Sequence, residues 1–361
     1  MPPGPDLRRR GARLRSRVIE ELRRLRWTPR IEHHHDAPLL EKLRWWRRGF
    51  RVESARLYGI SPATAGDYVP DFVVAYRPAR FNPAEAFFDH KAARRAMLLA
   101  AGAAQLETVA LLWRGRAVLH PFSPRQRALT PDELEGWLIA DGGEYVLKPE
   151  SGLKGIGVAL LRSEQARLVR QSGTARRPYA LSECYGQLTM IERRAEQAAF
   201  WRDLFPDALN CIRVLTVWPE GERTPFVARA TQKIGTAASI PADNFARGAL
   251  AAAVDIETGR MSAAHVKQDI RRLLPRHPET GAQIEGAVLP DWPEMLEDVV
   301  RIASGFPGDC FVGWDVFRDR DGRTVIIEAN GGTTGVQILQ MEAGLLSDPR
   351  IRWFYDQIGV L

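Results

Sequence analysis

The chain has 361 residues, 45% hydrophobic and 26% charged, a balance that suits a globular protein with two or three subdomains. No apolar run reaches the roughly 20 residues a membrane span needs, and the start MPPGPDLRRRG lacks the apolar core of a secretory signal. Net charge is +7, and three scattered cysteines without CxxC spacing (Cys184, Cys211, Cys310) read as reduced thiols of a cytoplasmic protein.

Much of the positive charge comes first. Residues 7–30, LRRRGARLRSRVIEELRRLRWTPR, carry only Glu20 and Glu21 as acids. Such a segment suits nucleic acid or an anionic membrane surface, and equally a solvated arginine-rich helix. No RNP, KH or zinc-finger pattern accompanies it, so nucleic acid is not the expected partner. Residues 1–48 read as helical, broken at Pro29 and by the polar stretch IEHHHDAP. Within that stretch His33, His34, His35 and Asp36 would alternate faces if extended, and could not all meet one ion. Trp45, Trp46 and Phe50 are expected to pack the N-terminal helices together.

Residues 50–90 are mixed, with turn signals at GISPATAGDYVPD and RPARFNP. A helix over AEAFFDHKAARRAMLLAAG should end at Gly102, a natural residue just past a helix C-terminus. From residue 144 onward the chain is strand-rich, through EYVLKP, GVALLR, YALSECY, CIRVLTVWP, TPFVARATQKIG and GALAAAVDI. Helices are expected near 131–140, 163–171, 293–304 and 337–345. The mixed order points to an α+β fold rather than a regular βαβ alternation.

Two stretches carry chemistry. In YVLKPESGLKGIGVALL a strand ends at Lys148-Pro149, a loop holds Gly152, Gly155 and Gly157, and a second strand follows. No Gly-Lys-Ser/Thr closes the loop and no helix follows it, so it is neither a Walker A loop nor a dinucleotide fingerprint. Bare backbone N–H groups there could still fold over phosphates, with Lys148 as a cation at one end; a plain flexible hairpin is the simpler alternative. The second stretch, FVGWDVFRDRDGRTVIIEANG, reads as two strands around DRDG. With Asp321-Gly322 as a two-residue turn, Asp315 sits opposite Glu328, and Asn330 shares their face. Like charges in that position destabilise a sheet. A divalent ion would offset the repulsion, and two carboxylates with an amide suit Mg²⁺. A solvated face would explain the pair less well, given Trp314, Val316, Ile326 and Ile327 alongside.

Taken in order, these residues resemble the ATP-grasp superfamily, and within it the sugar-transfer-associated branch related to α-L-glutamate ligases. The resemblance runs from about Lys91 to Gln340. DHKAARRAMLLAAG is similar to the helix that opens the nucleotide-binding subdomain, with Lys91 as its lysine, and VLKPESGLKGIG to the second lysine and glycine flap. YALSECYGQ resembles the adenine and ribose segment, which implies that role for Glu183 and Gln187. LNCIRVLTV, with Asn210 and Arg213, resembles a strand of the branch, although Cys211 stands where threonine is commoner. ARATQKIGTAASIPADNFARGALAAAVDIETG, with Asp243, Asn244 and Phe245, resembles its next run, Ala249 replacing a glycine. Either Arg229 or Lys233 would be the cation near the terminal phosphate. HPETG and then GWD…EANG complete the series.

The resemblance implies two α+β subdomains gripping ATP: a small one with the glycine flap at 91–185 and a large one with the metal hairpin at 186–361. A helical and mixed region at 1–90 lies outside it. It also implies ATP and Mg²⁺ (Mn²⁺ as an alternative), and ligation of a small-molecule carboxylate, including a peptide or sugar-linked acid, to an amine through an acyl phosphate. Arg213 is a candidate grip for the substrate carboxylate or a member of an internal ion pair. His277 could contact substrate or cap a turn. The alternatives are an ATP-grasp phosphotransferase, and a non-catalytic protein holding RNA or membrane through the basic N-terminus.

Overall fold

The structure, a computed structural model, describes residues 18–33, 36–83, 90–151, 156–184, 186–267, 272–332 and 334–359. The chain divides into two compact units, residues 1–83 with 335–361, and residues 84–334. The C-terminal segment, expected with the large subdomain, therefore joins the N-terminal region. Gln340 exchanges two hydrogen bonds with the Val69 backbone, at 3.0 and 3.1 Å. Gly344 lies so close to Asp67 that a Cβ there would stand 2.1 Å from its carbonyl oxygen.

The described part of this first unit is helical. Residues 18–27 form a helix that passes at Pro29 into the 3₁₀ turn Thr28–Ile31, since proline has no N–H for the α-helical bond. Buried Trp45 meets Phe50 edge to face at 6.4 Å, as expected. Trp46 instead donates its indole N–H to buried Glu32 at 3.1 Å. Glu32 also accepts from Val52 N at 2.8 Å, satisfying an orphan donor at the start of the helix Val52–Leu57. His34 and His35 lie outside the described residues.

Among its described residues the second unit holds two antiparallel sheets, so the α+β expectation holds. Eight strands make the first: β1 Thr108–Trp113, β2 Arg116–Leu119, β3 Arg127–Leu129, β4 Glu144–Pro149, β5 Ala159–Glu164, β6 Arg167–Ser172, β7 Ala175–Pro178 and β8 Thr189–Arg193. Their order is β3-β2-β1-β8-β4-β5-β6-β7. Seven make the second: β9 Ile212–Val217, β10 Phe226–Ile234, β11 Leu250–Val254, β12 Ala264–Val266, β13 Leu273–Leu274, β14 Phe311–Arg318 and β15 Thr324–Asn330. Their order is β13-β12-β11-β10-β9-β14-β15.

Alternation sorts the side chains of the second sheet into two faces. Ile212, Val214, Ala230, Ile234, Val312, Trp314 and Val316 form one core with Trp292, Met295, Val299 and Ile302 of the helix Trp292–Ala303. Each fully buried aliphatic side chain there contributes about 1.5–3 kcal/mol. Arg213, Lys233, Asp315 and Glu328 fall on the opposite face of β9, β10, β14 and β15. The first sheet packs Val109, Leu119, Tyr145, Leu161 and Ile191 against Leu134 and Leu138 of the helix Pro131–Asp141. That helix is started by a Thr130–Glu133 capping box and closed by left-handed Gly142.

The helix expected to end at Gly102 spans Lys91–Ala100, residues 84–89 lying outside the described set. Its end is a Schellman motif: Ala103 N bonds to Leu98 O and Gly102 N to Leu99 O, with Gly102 at φ +75°. Three expectations fail. Residues 163–171, helical by composition, form the β5–β6 hairpin, turning at Gln165 and Ala166 with φ of +49° and +57°. Ladders to β4 and β7 on either side, and burial of Leu168, override local propensity. YALSECY contributes the 3₁₀ turn Leu181–Cys184 rather than a strand, because Leu181 and Cys184 are drawn into the core below the helix Pro131–Asp141. Near 337–345 only Val336–Leu339 is α-helical.

Candidate active site

Strands β14 and β15 pair in the register expected where it matters: Gly313 with Asn330, Trp314 with Ala329, and Asp315 with Glu328. The turn is nevertheless a different one. Beyond a bulge after Asp315 the partners become Val316–Ile326 and Arg318–Thr324. Asp319 N then bonds to Arg323 O, leaving the three-residue loop Arg320-Asp321-Gly322, with Gly322 at φ +76°. Loop and bulge compensate, so Asp315 and Glu328 still face each other.

Two buried cations of the chain itself also answer the repulsion between the two acids. Asp315 is buried beside Arg213, its partner on β9. Arg213 forks it, Nε to Oδ1 at 2.7 Å and Nη2 to Oδ2 at 2.9 Å. Lys233 Nζ approaches the same Oδ1 at 3.1 Å. Burial works to raise the Asp315 pKa, but the two cations outweigh it and hold the carboxyl down at about 2. Lys233 is opposed by burial and raised nonetheless, because Asp243 at 3.0 Å and Asp315 both hold its charge. Asp243 accepts from Cys211 N as well, which fixes it against the end of β9. The loop that carries Asp243 bridges the two sheets: Ile240 O accepts from Gly173 N at 2.7 Å, and Arg247 donates to Ser172 at 2.9 Å.

A third element explains Gly313. The chain after Asn330 crosses back over β14, and a Cβ on Gly313 would stand 2.1 Å from Thr334 O and 3.0 Å from Arg213 Cδ. Only glycine lets that crossing occur. Asn330 donates its Nδ2 to Gly313 O at 3.3 Å. Glu328, with its side chain one-third exposed, has Lys91 Nζ at 3.8 Å.

Lys91 opens the second half of the site, a small cleft lined by Lys91, Arg94, Arg95, Gln105, Lys148 and Glu328 with apolar neighbours. Lys91 and Arg95 stand one helical turn apart on Lys91–Ala100. That helix is held to the end of β4 by Glu150, which accepts from Ala92 N at 3.3 Å near the positive end of the helix. Arg95 and Lys148 converge on buried Glu192 of β8; Lys148 Nζ is 2.5 Å from Oε2, and Arg95 reaches Oε1. One carboxylate thus serves two buried cations. Burial, with Arg95 alongside, leaves the Lys148 pKa below its ordinary value although Glu192 supports the charge. Glu192 is itself lowered: burial opposes its charge, and Arg95 and Lys148 outweigh burial. Gly157, at φ +81°, packs where a Cβ would lie 2.9 Å from Pro149. Gly152 and Gly155 lie outside the described residues.

Lys91, Lys148 and Glu328 are therefore brought to one cleft, and Arg213, Lys233 and Asp315 to one network beside it. Between Arg229 and Lys233, the amine of Lys233 is the one that meets Asp315; half-buried Arg229 donates to Ala228 O at 3.0 Å. Glu183 is not brought to the cleft. It is exposed and forked by Arg177 at 2.9 and 2.6 Å, because its turn packs under the helix Pro131–Asp141; neither Glu183 nor Gln187 lines the cleft. Asn210 proves to be a brace, donating to Trp201 O and Phe205 O at 2.8 Å and accepting from Gly235 N at 2.9 Å. His277 caps a turn. Its Nδ1 accepts from Glu279 N and Thr280 N at 3.2 Å, while Nε2 lies 2.8 Å from Gly235 O.

Arg95, Glu150 and Glu192 escaped the sequence reading. Arg95 carried a signal in its spacing, four residues after Lys91, and Glu192 in being an acid within the apolar strand TMIER. Glu150 carried none.

No curated protein matches the chain by sequence. Among solved structures it is similar to the ATP-grasp ligase PsnB complexed with a phosphomimetic variant of minimal precursor, Mg and ADP. That match has 13% identity and a TM-score of 0.39, covering 77% of this chain and 61% of that one. It is also similar to carboxyaminoimidazole ribonucleotide synthase from Aspergillus clavatus complexed with ATP, at 12% identity and TM-score 0.39, covering 68% and 45%. The third is L-amino acid ligase from Bacillus licheniformis, at 13% identity and TM-score 0.36, covering 70% and 43%. The chain thus spans between 43% and 61% of the length of these proteins. The family model of the sugar-transfer associated ATP-grasp proteins matches residues 132–351, more than half of the sequence and nearly all of the charged sheet face just described, and the chain belongs to that family.

Proposed function

We propose that this chain is an ATP-dependent carboxylate–amine ligase. It would join a small-molecule acid to an amine through an acyl phosphate, with release of ADP and phosphate. The observation that carries the reading is the meeting of two sets of charges. Lys91, Arg95 and Lys148 line one cleft with Glu328, and Glu328 sits next to the Asp315–Arg213–Lys233 network on the same sheet face.

The donor set fits Mg²⁺, with unequal shares. Glu328 and Asn330 offer hard oxygens on one strand, two residues apart and on one side. Asp315 has about four lone-pair sites, of which Arg213 and Lys233 already take three, so it has one left to give. Glu328 and Asn330 would hold the ion, with Asp315 behind them. Mg²⁺, or Mn²⁺ in its place, would neutralise charge that grows on the transferred phosphoryl group.

The chain's own residues do the rest. Lys91, Arg95 and Lys148 are cations already desolvated and aimed, so phosphate oxygens would meet fixed donors at little reorganisation cost. Lys91 Nζ, 3.8 Å from Glu328 and 3.4 Å from Glu150 O, would meet phosphate at the mouth of the cleft. Lys233 and Arg213, fixed by Asp243 and Asp315, present positive charge where the terminal phosphate would lie. Since the Arg213 fork is engaged with Asp315, it is an anchor of the network rather than the grip on the substrate carboxylate. A substrate carboxylate oxygen would attack the terminal phosphorus and ADP would leave; the lone pair of the amine would then displace phosphate from the acyl carbon.

The test is turnover with ATP, Mg²⁺, pooled carboxylic acids and hydroxylamine. ADP release with hydroxamate formation supports the ligase. A phosphorylated alcohol without hydroxamate would mean a phosphotransferase, and a folded chain that neither binds ATP nor releases ADP would overturn both.

A further inference from the structure

The first unit carries a surface for which the ligase reading has no use. On the helix of residues 18–27, Val18, Ile19 and Leu22 are 50%, 42% and 60% exposed; on the helix Leu39–Trp46, Leu39, Leu40 and Leu43 are 65%, 80% and 38% exposed. Arg47, one turn beyond Leu43, reaches Glu21 beside Leu22 at 2.6 Å. An ion pair thus joins the two helices next to their aliphatic rows. Exposed apolar side chains grouped in this way mark a docking surface more often than scattered ones do.

The described chain around it is basic: residues 18–48 hold eight Lys and Arg against five Asp and Glu. The acids on these helices are spent locally: Glu20 pairs with Arg77, Glu21 with Arg47, Glu41 with Arg56, and Glu32 is buried. Arg23, Arg26, Arg30 and Arg44 are exposed.

We propose that this surface docks on an anionic lipid bilayer. Leucine, isoleucine and valine would enter the boundary between headgroups and acyl chains, while arginines meet lipid phosphates. Nucleic acid would use the arginines and leave six aliphatic side chains in water, whereas a bilayer satisfies both sets. The attachment proposed is peripheral; no described helix is long and apolar enough to cross a membrane.

The experiment is cosedimentation of the full chain with vesicles of phosphatidylcholine alone, and of phosphatidylcholine with phosphatidylglycerol. Binding is expected to the anionic vesicles only, and to weaken as salt is raised. Leu39→Ser/Leu40→Ser/Leu43→Ser, all at exposed positions, should lower partitioning roughly tenfold or more, with the circular dichroism spectrum and thermal unfolding unchanged. Failure of the native chain to sediment with anionic vesicles would overturn the proposal. So would binding that survives the leucine substitutions and is competed by RNA, or self-association without lipid that those substitutions abolish. None of these outcomes depends on ATP, so the ligase reading stands or falls separately.

Discussion

Asp315→Asn separates two accounts of the same residue. If Asp315 were only a metal ligand, its charge would oppose Glu328 in the metal-free protein. Neutralising it would then leave stability unchanged or raise it by a few tenths of a kcal/mol to about 1 kcal/mol. The structure instead makes Asp315 the counter-ion of two buried cations, at 2.7, 2.9 and 3.1 Å. Asparagine would turn an NH₂ donor toward Arg213 or Lys233 and leave their charges to Asp243 and the more distant Glu328. Breaking a buried pair in this way costs about 3–5 kcal/mol. The assay is urea unfolding of both proteins in a chelator without nucleotide, followed by circular dichroism.

The pH dependence gives an independent check. The folded pKa of Asp315 is depressed from 3.8 to about 2, so its contribution is present above the unfolded value and is lost as pH falls between the two. That shift corresponds to about 2 kcal/mol. The gap between native chain and variant should therefore be full at neutral pH and shrink as pH drops from about 4 toward about 2. A variant as stable as the native chain at neutral pH would refute the counter-ion account.

Glu328→Gln should behave in the opposite way: Mg²⁺-dependent ADP release falls roughly a hundredfold, while unfolding moves by no more than about 0.5 kcal/mol, because the side chain is one-third exposed and its ion pair is long. Unchanged turnover would remove Glu328 from the metal. Burial depresses the Lys148 pKa in the free protein, and phosphate beside it would raise it again. ATP affinity should therefore fall as pH rises through the free-protein value, measurable by calorimetry across the alkaline range; an affinity for ATP that Lys148→Ala leaves unchanged would place the phosphates elsewhere. Gly313→Ala should destabilise the second unit by about 3 kcal/mol or more, read as a lowered melting temperature, because the new Cβ would collide with Thr334 O. A neutral substitution would show that the crossing chain can move aside.

The sequence by itself determined which residues share the sheet face. Strand periodicity put Asp315, Glu328 and Asn330 on one side of a hairpin, and the structure keeps that register although the turn is one residue longer and a bulge takes up the difference. The end of the helix Lys91–Ala100 was legible for a similar reason: a glycine at positive φ acts within a few residues. Distance along the chain is what hid the rest. Arg213 and Asp315 are 102 residues apart, and Lys148 and Glu192 come together through the pairing of β4 with β8. Local composition also misled at residues 163–171, where helix-favouring side chains lie in a hairpin between two other strands. Only the tertiary structure decided which cation answers which acid, because a buried charge takes the partner that packing brings within about 3 Å, and no short-range pattern encodes that choice.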